Sequence, residues 1–235
     1  MPEGKGFESR RSFVQHVGHV ASLTFLSSAM GASVARAESA PVPATAVSTD
    51  DWDLSWLARL ASGTDRAVFD WPTLGSPADP ILLELADRYL QNCAAAYGAQ
   101  PYAVRVVLNI RTQAVPAALA DVMWQRYALG TEYQTTDPTT GVLAIRNPFW
   151  YRAPDPAPRL VLPCLADLQR AGATILVCDF ALTNLAKRLA PKFHQSEATV
   201  HAALRGNLVP GAFAVPSGIF GLVRAQNAGC ALVRV

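Results

Sequence analysis

The stretch GATILVCDFALTNLA, Gly172 to Ala186, decides the fold. Ala173 to Val177 is an apolar run with β-branched members, the pattern of a strand covered on both faces. Cys178 follows, and Asp179 is read as the N-cap of a helix. From there Phe180, Leu182, Leu185, Ala186 and Leu189 recur at helical spacing. The stretch therefore predicts a buried parallel strand, a thiol at its carboxyl end and a helix leaving at once. In open α/β sheets, ligands gather at the carboxyl ends of strands. The positive end of a helix dipole also favours a thiolate at that position. Cys178 is thus the nucleophile candidate. Against this stands the common role of a free cysteine as a small buried hydrophobe.

Working outward, apolar strands and amphipathic helices alternate. Ala67–Trp71 reads as a first strand ending at Asp70, and Ile81–Tyr97 as a long helix stopped by Gly98. Cys93 lies on the apolar face of that helix. Tyr102–Ile110 reads as a second strand with Arg111 at its carboxyl end, and Val115–Tyr127 as one helix carrying Pro116 in its first turn. Residues 130–163 form a long polar insert containing DPTTG (Asp137–Gly141) and RNPFWYR (Arg146–Arg152). A loop of that length in a compact domain is usually functional or an interface. Its trio Phe149, Trp150 and Tyr151 is read as a lid or a subunit contact, with a satellite core as the alternative. Cys164–Ala171 is a short helix before the central strand. A helix capped by Ser196 runs to about Asn207. A fourth strand spans about Ala212–Val215, a helix capped by Ser217 follows to Asn227, and Cys230–Val235 is a final strand. The alternation implies an α/β three-layer sandwich around a mostly parallel five-stranded sheet. The strand order does not follow from the sequence.

The amino-terminal part reads differently. Lys5 and Ser9-Arg10-Arg11-Ser12-Phe13 precede a mildly apolar Ala/Gly/Ser-rich stretch that closes at Ala35-Arg36-Ala37. Basic, apolar and small-residue zones in that order form an export signal. The paired arginines make it twin-arginine in type, cleaved after Ala37, with the periplasm as destination. His19 and several serines interrupt the apolar part, so no stable membrane span is expected. Residues 38–63 read as a linker and a short amphipathic helix with Trp52, Trp56, Leu57 and Leu60 on one face, docking on the domain or on a partner subunit. The domain proper is placed at 64–235.

Of the chain's 20 basic and 18 acidic residues, the leader takes Lys5, Arg10, Arg11, Arg36, Glu3 and Glu8, leaving 16 of each. With no Lys/Arg cluster, nucleic-acid binding is disfavoured. No G-x-G-x-x-G or Walker lysine is present, so no nucleotide cofactor is expected. The four cysteines form no CxxC pair. His194 and His201, read as surface residues, stand too far apart on one helix to share a metal, so no metal is expected either. Ser217 in VPSGI lacks the glycine two residues earlier that a nucleophile elbow needs.

These residues suggest a family. GATILVCDFALTNLA resembles the strand-cysteine-helix segment of the DsrE/DsrF-like proteins. LRGNLVPGAFAVPSGIFGLVRAQNAGCAL (Leu204–Leu232), with TDPTTG and RNPF, looks like an exported, twin-arginine branch of that family. The resemblance implies a three-layer α/β/α fold, homo-oligomers such as trimers or hexamers, and a cysteine that carries sulfur as a persulfide between donor and acceptor proteins. By position that cysteine matches Cys178; if the second and third strands are adjacent, Arg111 lies about one strand spacing away, where a guanidinium lowers a thiol pKa. Thr112 follows Arg111 where close relatives are expected to carry His. Asp70, Asn147, Ser217 and Cys230 complete the expected pocket, Cys230 as a resolving thiol or a packing residue. Three roles follow: a periplasmic persulfide carrier, a non-catalytic oligomeric binding module, or a thiol redox protein using Cys178 with Cys230.

Overall fold

The computed structural model describes residues 52–98, 104–151 and 162–234. The leader, its cleavage point and most of the linker lie outside the described residues. So do the ends of two expected elements, Tyr102 and Ala103 of the second strand and Val235 of the last.

Five parallel strands form one sheet: β1 Asp65–Trp71, β2 Val104–Ile110, β3 Thr174–Cys178, β4 Phe213–Val215 and β5 Ala231–Arg234. Their order is β4-β3-β2-β1-β5. The chain steps outward from β1 through β4, then returns to place β5 on the other side of β1. Side chains alternate between two faces, as the pleat requires. Ala67, Phe69, Trp71, Val106, Leu108, Ile110, Ile175 and Val177 enter the larger core. Val68, Val107 and Leu176 enter the smaller one. Helices cover both faces, which explains the near-continuous apolar strands.

The larger face is covered by α2 (Ile81–Tyr97), a 3-10 helix (Thr112–Ala118), α3 (Asp121–Arg126), α5 (Leu165–Arg170), α6 (Asp179–Lys192) and α7 (Glu197–Gly206). The smaller face is covered by α1 (Trp56–Ala61) and α8 (Gly218–Asn227), whose Trp56, Leu60, Leu222 and Ala225 are buried. The amphipathic segment therefore docks within the chain, as a shorter helix than the spacing predicts.

Four expectations are corrected. Val115–Tyr127 is not one helix: the 3-10 segment ends at Ala118 and α3 starts at Asp121. The interruption pairs with the segment after α7, through Val209 N–H to Ala118 O at 2.8 Å and Ala120 N–H to Asn207 O at 2.9 Å. Asp179 is not a cap but the first residue of α6; Cys178 is the cap, its sulfur accepting the Ala181 N–H.

The insert is the third correction, because its described part is folded. It includes most of the short helix α4 (Leu129–Glu132), and Asp137 makes a tight turn by accepting the Thr139 N–H at 2.8 Å. Gly130 is obligatory: a Cβ there would stand 2.1 Å from the Ala144 carbonyl oxygen. Phe149 and Trp150 are buried in the main core, and only Tyr151 is exposed, so the aromatic trio is neither lid nor free contact. The fourth correction concerns His201, which is half-buried and paired, as described below. No helix among the described residues is long and apolar enough to cross a membrane.

Candidate functional site

Parallel pairing brings the chemistry to one edge. Ile110 lies opposite Val177, so Arg111 and Cys178 leave the sheet side by side. Asp70 stands opposite Asn109 on the neighbouring pair. From this shared edge the side chains part into two groups.

The first group lies under α8. Arg111 grips Asp70 with two bonds, Nε to Oδ1 at 2.7 Å and Nη2 to Oδ2 at 2.8 Å. Such a fork is the strong form of ion pair. Asn109 Nδ2 adds a bond to Asp70 Oδ1 at 3.3 Å. Burial pushes the Asp70 carboxyl up, but the hydrogen bond and charge of Arg111, with help from Asn109 and Arg234, hold it below its ordinary value. The pair lifts the Arg111 pKa in return. Gly218 lets the arginine pass, since a Cβ there would stand 2.5 Å from Arg111 Cβ. Asn109 Oδ1 is buried without a hydrogen-bond partner and faces Gly221, where a Cβ would sit 2.8 Å away. Arg111 is therefore adjacent to Cys178 in register but committed to Asp70.

The second group is a cleft of about 230 Å³ against α6. It is lined by Cys178, Phe180, Ala181, Asn184, Leu185 and Arg188 from that helix and its cap, by Thr112 and Gln113, and by Tyr133. Cys178 is 4% exposed and accepts a hydrogen bond from the Ala181 N–H at 3.3 Å. It thus caps a 14-residue helix, next to the first-turn N–H groups that lack intrahelical partners. Phe180, 63% exposed, is a cleft residue at the surface. Asp179 takes no part in the cleft lining. It faces α7, with a hydrogen bond to His201 Nε2 at 3.0 Å and an ion pair to Arg205 Nε at 3.7 Å. Thr112 adopts φ +48°, a strained conformation for a β-branched residue. Its hydroxyl donates to Pro72 O at 2.5 Å, which fixes the start of the 3-10 turn.

The remaining sequence candidates lie elsewhere. Asn147 is not a pocket residue. It is buried, donates to Ala117 O and Leu119 O at 2.8 Å each, and accepts the Phe149 N–H at 2.9 Å, so it staples the insert to the turn before α3. Ser217 caps α8 by accepting the Phe220 N–H at 3.1 Å, as its sequence context indicates. Cys230 packs in the smaller core, where burial pushes its pKa up to about 11. It precedes β5, while Cys178 ends β3, and two strands separate β5 from β3. Three strand spacings amount to roughly 14 Å, twice the Cα reach of a disulfide, about 7 Å. Cys230 cannot resolve Cys178, and the two-cysteine redox reading fails. All four cysteines are free thiols. Among the described residues, no three His, Cys, Asp or Glu side chains converge as metal ligands.

Sequence reasoning missed Tyr133 and Arg188. Arg188 Nη2 donates to Tyr133 Oη at 2.6 Å, and its guanidinium carbon lies 5.4 Å from that ring's centre. The only signal for Arg188 was its place ten residues after Cys178 on the same helix; nothing signalled Tyr133.

No protein-family model matches the chain, and no curated protein matches it. Among solved structures, a protein of unknown function, MTH1491 from Methanobacterium thermoautotrophicum, is 14% identical, with 73% of this chain and 99% of that chain covered and a TM-score of 0.35. A likeness at that level carries no argument about function.

Proposed function

We propose that this protein handles sulfur, with Cys178 as the atom that accepts and passes it. The observation that carries the reading is the placement of that thiol. It is the helix cap at a strand's carboxyl end, receives a backbone N–H, and lines a cleft. Persulfide carriage needs a sulfur nucleophile with access for a small reactant and no second thiol that would discharge it as a disulfide. The remoteness of Cys230 supplies the second condition. The resemblance of Gly172–Ala186 and Leu204–Leu232 to the exported DsrE/DsrF-like branch points the same way. The reading includes export through the twin-arginine leader to the periplasm and assembly into homo-oligomers. Ile219 and Val223, one turn apart and exposed on α8, suit a contact between copies.

In the proposed step the Cys178 thiolate attacks the outer sulfur of a persulfide. A sulfur–sulfur bond forms on Cys178, the donor's own sulfur–sulfur bond breaks, and its electron pair leaves on the donor thiolate. Discharge is the same exchange with an acceptor thiolate. Incubation of the native protein with a persulfide donor, followed by peptide mass spectrometry, should show one added sulfur on Cys178 and none in Cys178→Ser. An unmodified Cys178 would refute the reading.

A second reading, a non-catalytic oligomeric binding module, is favoured by one observation: Cys178 is more buried than the core residue Cys230, at 4% against 6% exposed. It expects the cleft to hold a ligand with the thiol inert, and ligand binding unchanged in Cys178→Ala.

A further inference from the structure

One wall of the cleft is α6 with its cap. Ala181, Asn184, Leu185 and Arg188 fall on successive turns of one face, with Cys178 just before them. Ten residues of helix rise, about 15 Å, separate Cys178 from Arg188 along the axis. A helical side chain leans back toward the amino terminus, which shortens the gap its guanidinium leaves.

Arg188 is the arginine that lines this cleft, and it differs from the arginines that pair with an aspartate. Arg111, Arg146, Arg170 and Arg205 each pair with an aspartate. Among the described residues, no ion pair joins Arg188 to a carboxylate. Its contacts are the Tyr133 hydroxyl and ring face, and burial pushes that phenol's pKa up against the pull of Arg188, so it remains neutral. A guanidinium carries five N–H donors in a fork that fits a carboxylate. The cleft thus has a thiol toward one end, apolar walls from Phe180, Ala181 and Leu185, and toward the other an exposed cation that no carboxylate among the described residues pairs.

We infer that the sulfur donor to Cys178 is a small carboxylate-bearing persulfide, held through its carboxylate by Arg188, rather than a cysteine on a partner protein. The inference rests on the sulfur-acceptor reading of Cys178. At about 30 Å³ per water-sized group, the 230 Å³ cleft takes roughly eight such groups, the size of a short-chain thiol acid carrying one extra sulfur. Cys178 is only 4% exposed, so a small molecule entering the cleft has better access to it than a cysteine fixed in the surface of a folded partner. The exchange is that already described. The carboxylate takes no part in bond making, the transferred sulfur keeps its proton, and the short-chain thiolate departs. No outside oxidant is required.

The test compares 3-mercaptopropionate persulfide with its methyl ester as donors to the full chain and to Arg188→Gln, following added sulfur on Cys178 at low donor concentration. Loss of a charge-assisted fork should slow loading from the free acid about tenfold in Arg188→Gln. Loading from the ester should be equal in the two proteins, and Arg188→Lys should recover part of the free-acid rate. A persulfide carried on a sulfurtransferase should load Cys178 more slowly than either small donor. If Arg188→Gln slows both small donors alike, or neither, or if the sulfurtransferase is the fastest donor, the inference is overturned and the carrier reading stands. If no donor places sulfur on Cys178, the carrier reading falls and takes this inference with it.

Discussion

Two groups of side chains share the carboxyl edge of the sheet and meet opposite fates. Under α8, Asp70, Arg111 and Asn109 bond to one another and leave only one oxygen without a partner. Against α6, Cys178 and Arg188 face a cleft, and no carboxylate among the described residues pairs with Arg188. The difference lies in how each charge is used. A buried charge answered by its complement is structure, and removing either member leaves the other stranded. A thiol and a cation that line a cavity without answering each other retain capacity for a ligand. The sequence placed Asp70 and Arg111 with Cys178; the register keeps Arg111 beside Cys178, but its guanidinium fork is taken by Asp70.

That separation can be broken most forcefully at Asp70. Asp70→Asn strands Arg111 and should cost about 3 kcal/mol, read as a lowered urea midpoint, while sulfur loading of Cys178 in the folded protein stays unchanged. The same variant has a pH signature. Because the Asp70 pKa is lowered in the folded state, its contribution is fully present above the ordinary value of 3.8 and is lost as pH falls through the lowered value. Wild-type stability should therefore drop more steeply than that of Asp70→Asn in acid. An equal slope would mean that the pair does not hold the fold.

Gly221→Ala sharpens the contrast on the same side. The new methyl would stand 2.8 Å from Asn109 Oδ1 and 3.3 Å from Leu176 Cδ1. Overpacking of this kind costs about 2 kcal/mol, measurable by thermal unfolding, again without effect on loading. On the cleft side the pattern should invert. Ala181→Leu fills the space beside the sulfur and should slow loading about tenfold, a barrier change near 1.4 kcal/mol, in a protein that still unfolds cooperatively. The smallest effect belongs to His201→Gln. Its bond to Asp179 is partly exposed, and loss should cost under about 1 kcal/mol, with loading intact.

What the sequence made legible follows from local physics. The strands of Ala67–Trp71 and Ala173–Val177, the caps Ser196 and Ser217, and the alternation that fixes an α/β sandwich all depend on residues within a few positions of each other. The broken helix at Leu119–Ala120 does not show in the sequence, because the Ala118 carbonyl accepts from Val209 and the Ala120 N–H donates to the Asn207 carbonyl, some ninety residues on. Cys178 as a cap was missed because Asp179 beside it is a far commoner cap. Asn147 was placed in a pocket because a polar side chain in a long insert gives no sign that three backbone groups will enclose it. The Arg188–Tyr133 contact spans 55 positions and depends on how the insert folds back. Cys178 and Arg111 were paired correctly in register, but which carboxylate would claim the arginine depended on strand order, and that lay beyond the sequence.

The cleft's opening onto Cys178 is tested most directly by native-state labelling of the four thiols with methyl methanethiosulfonate near neutral pH, mapped by peptide. Cys178 should react rapidly, with Cys93, Cys164 and Cys230 protected until the protein unfolds. Labelling of Cys178 at no more than the unfolding rate, together with Cys230, would contradict the account.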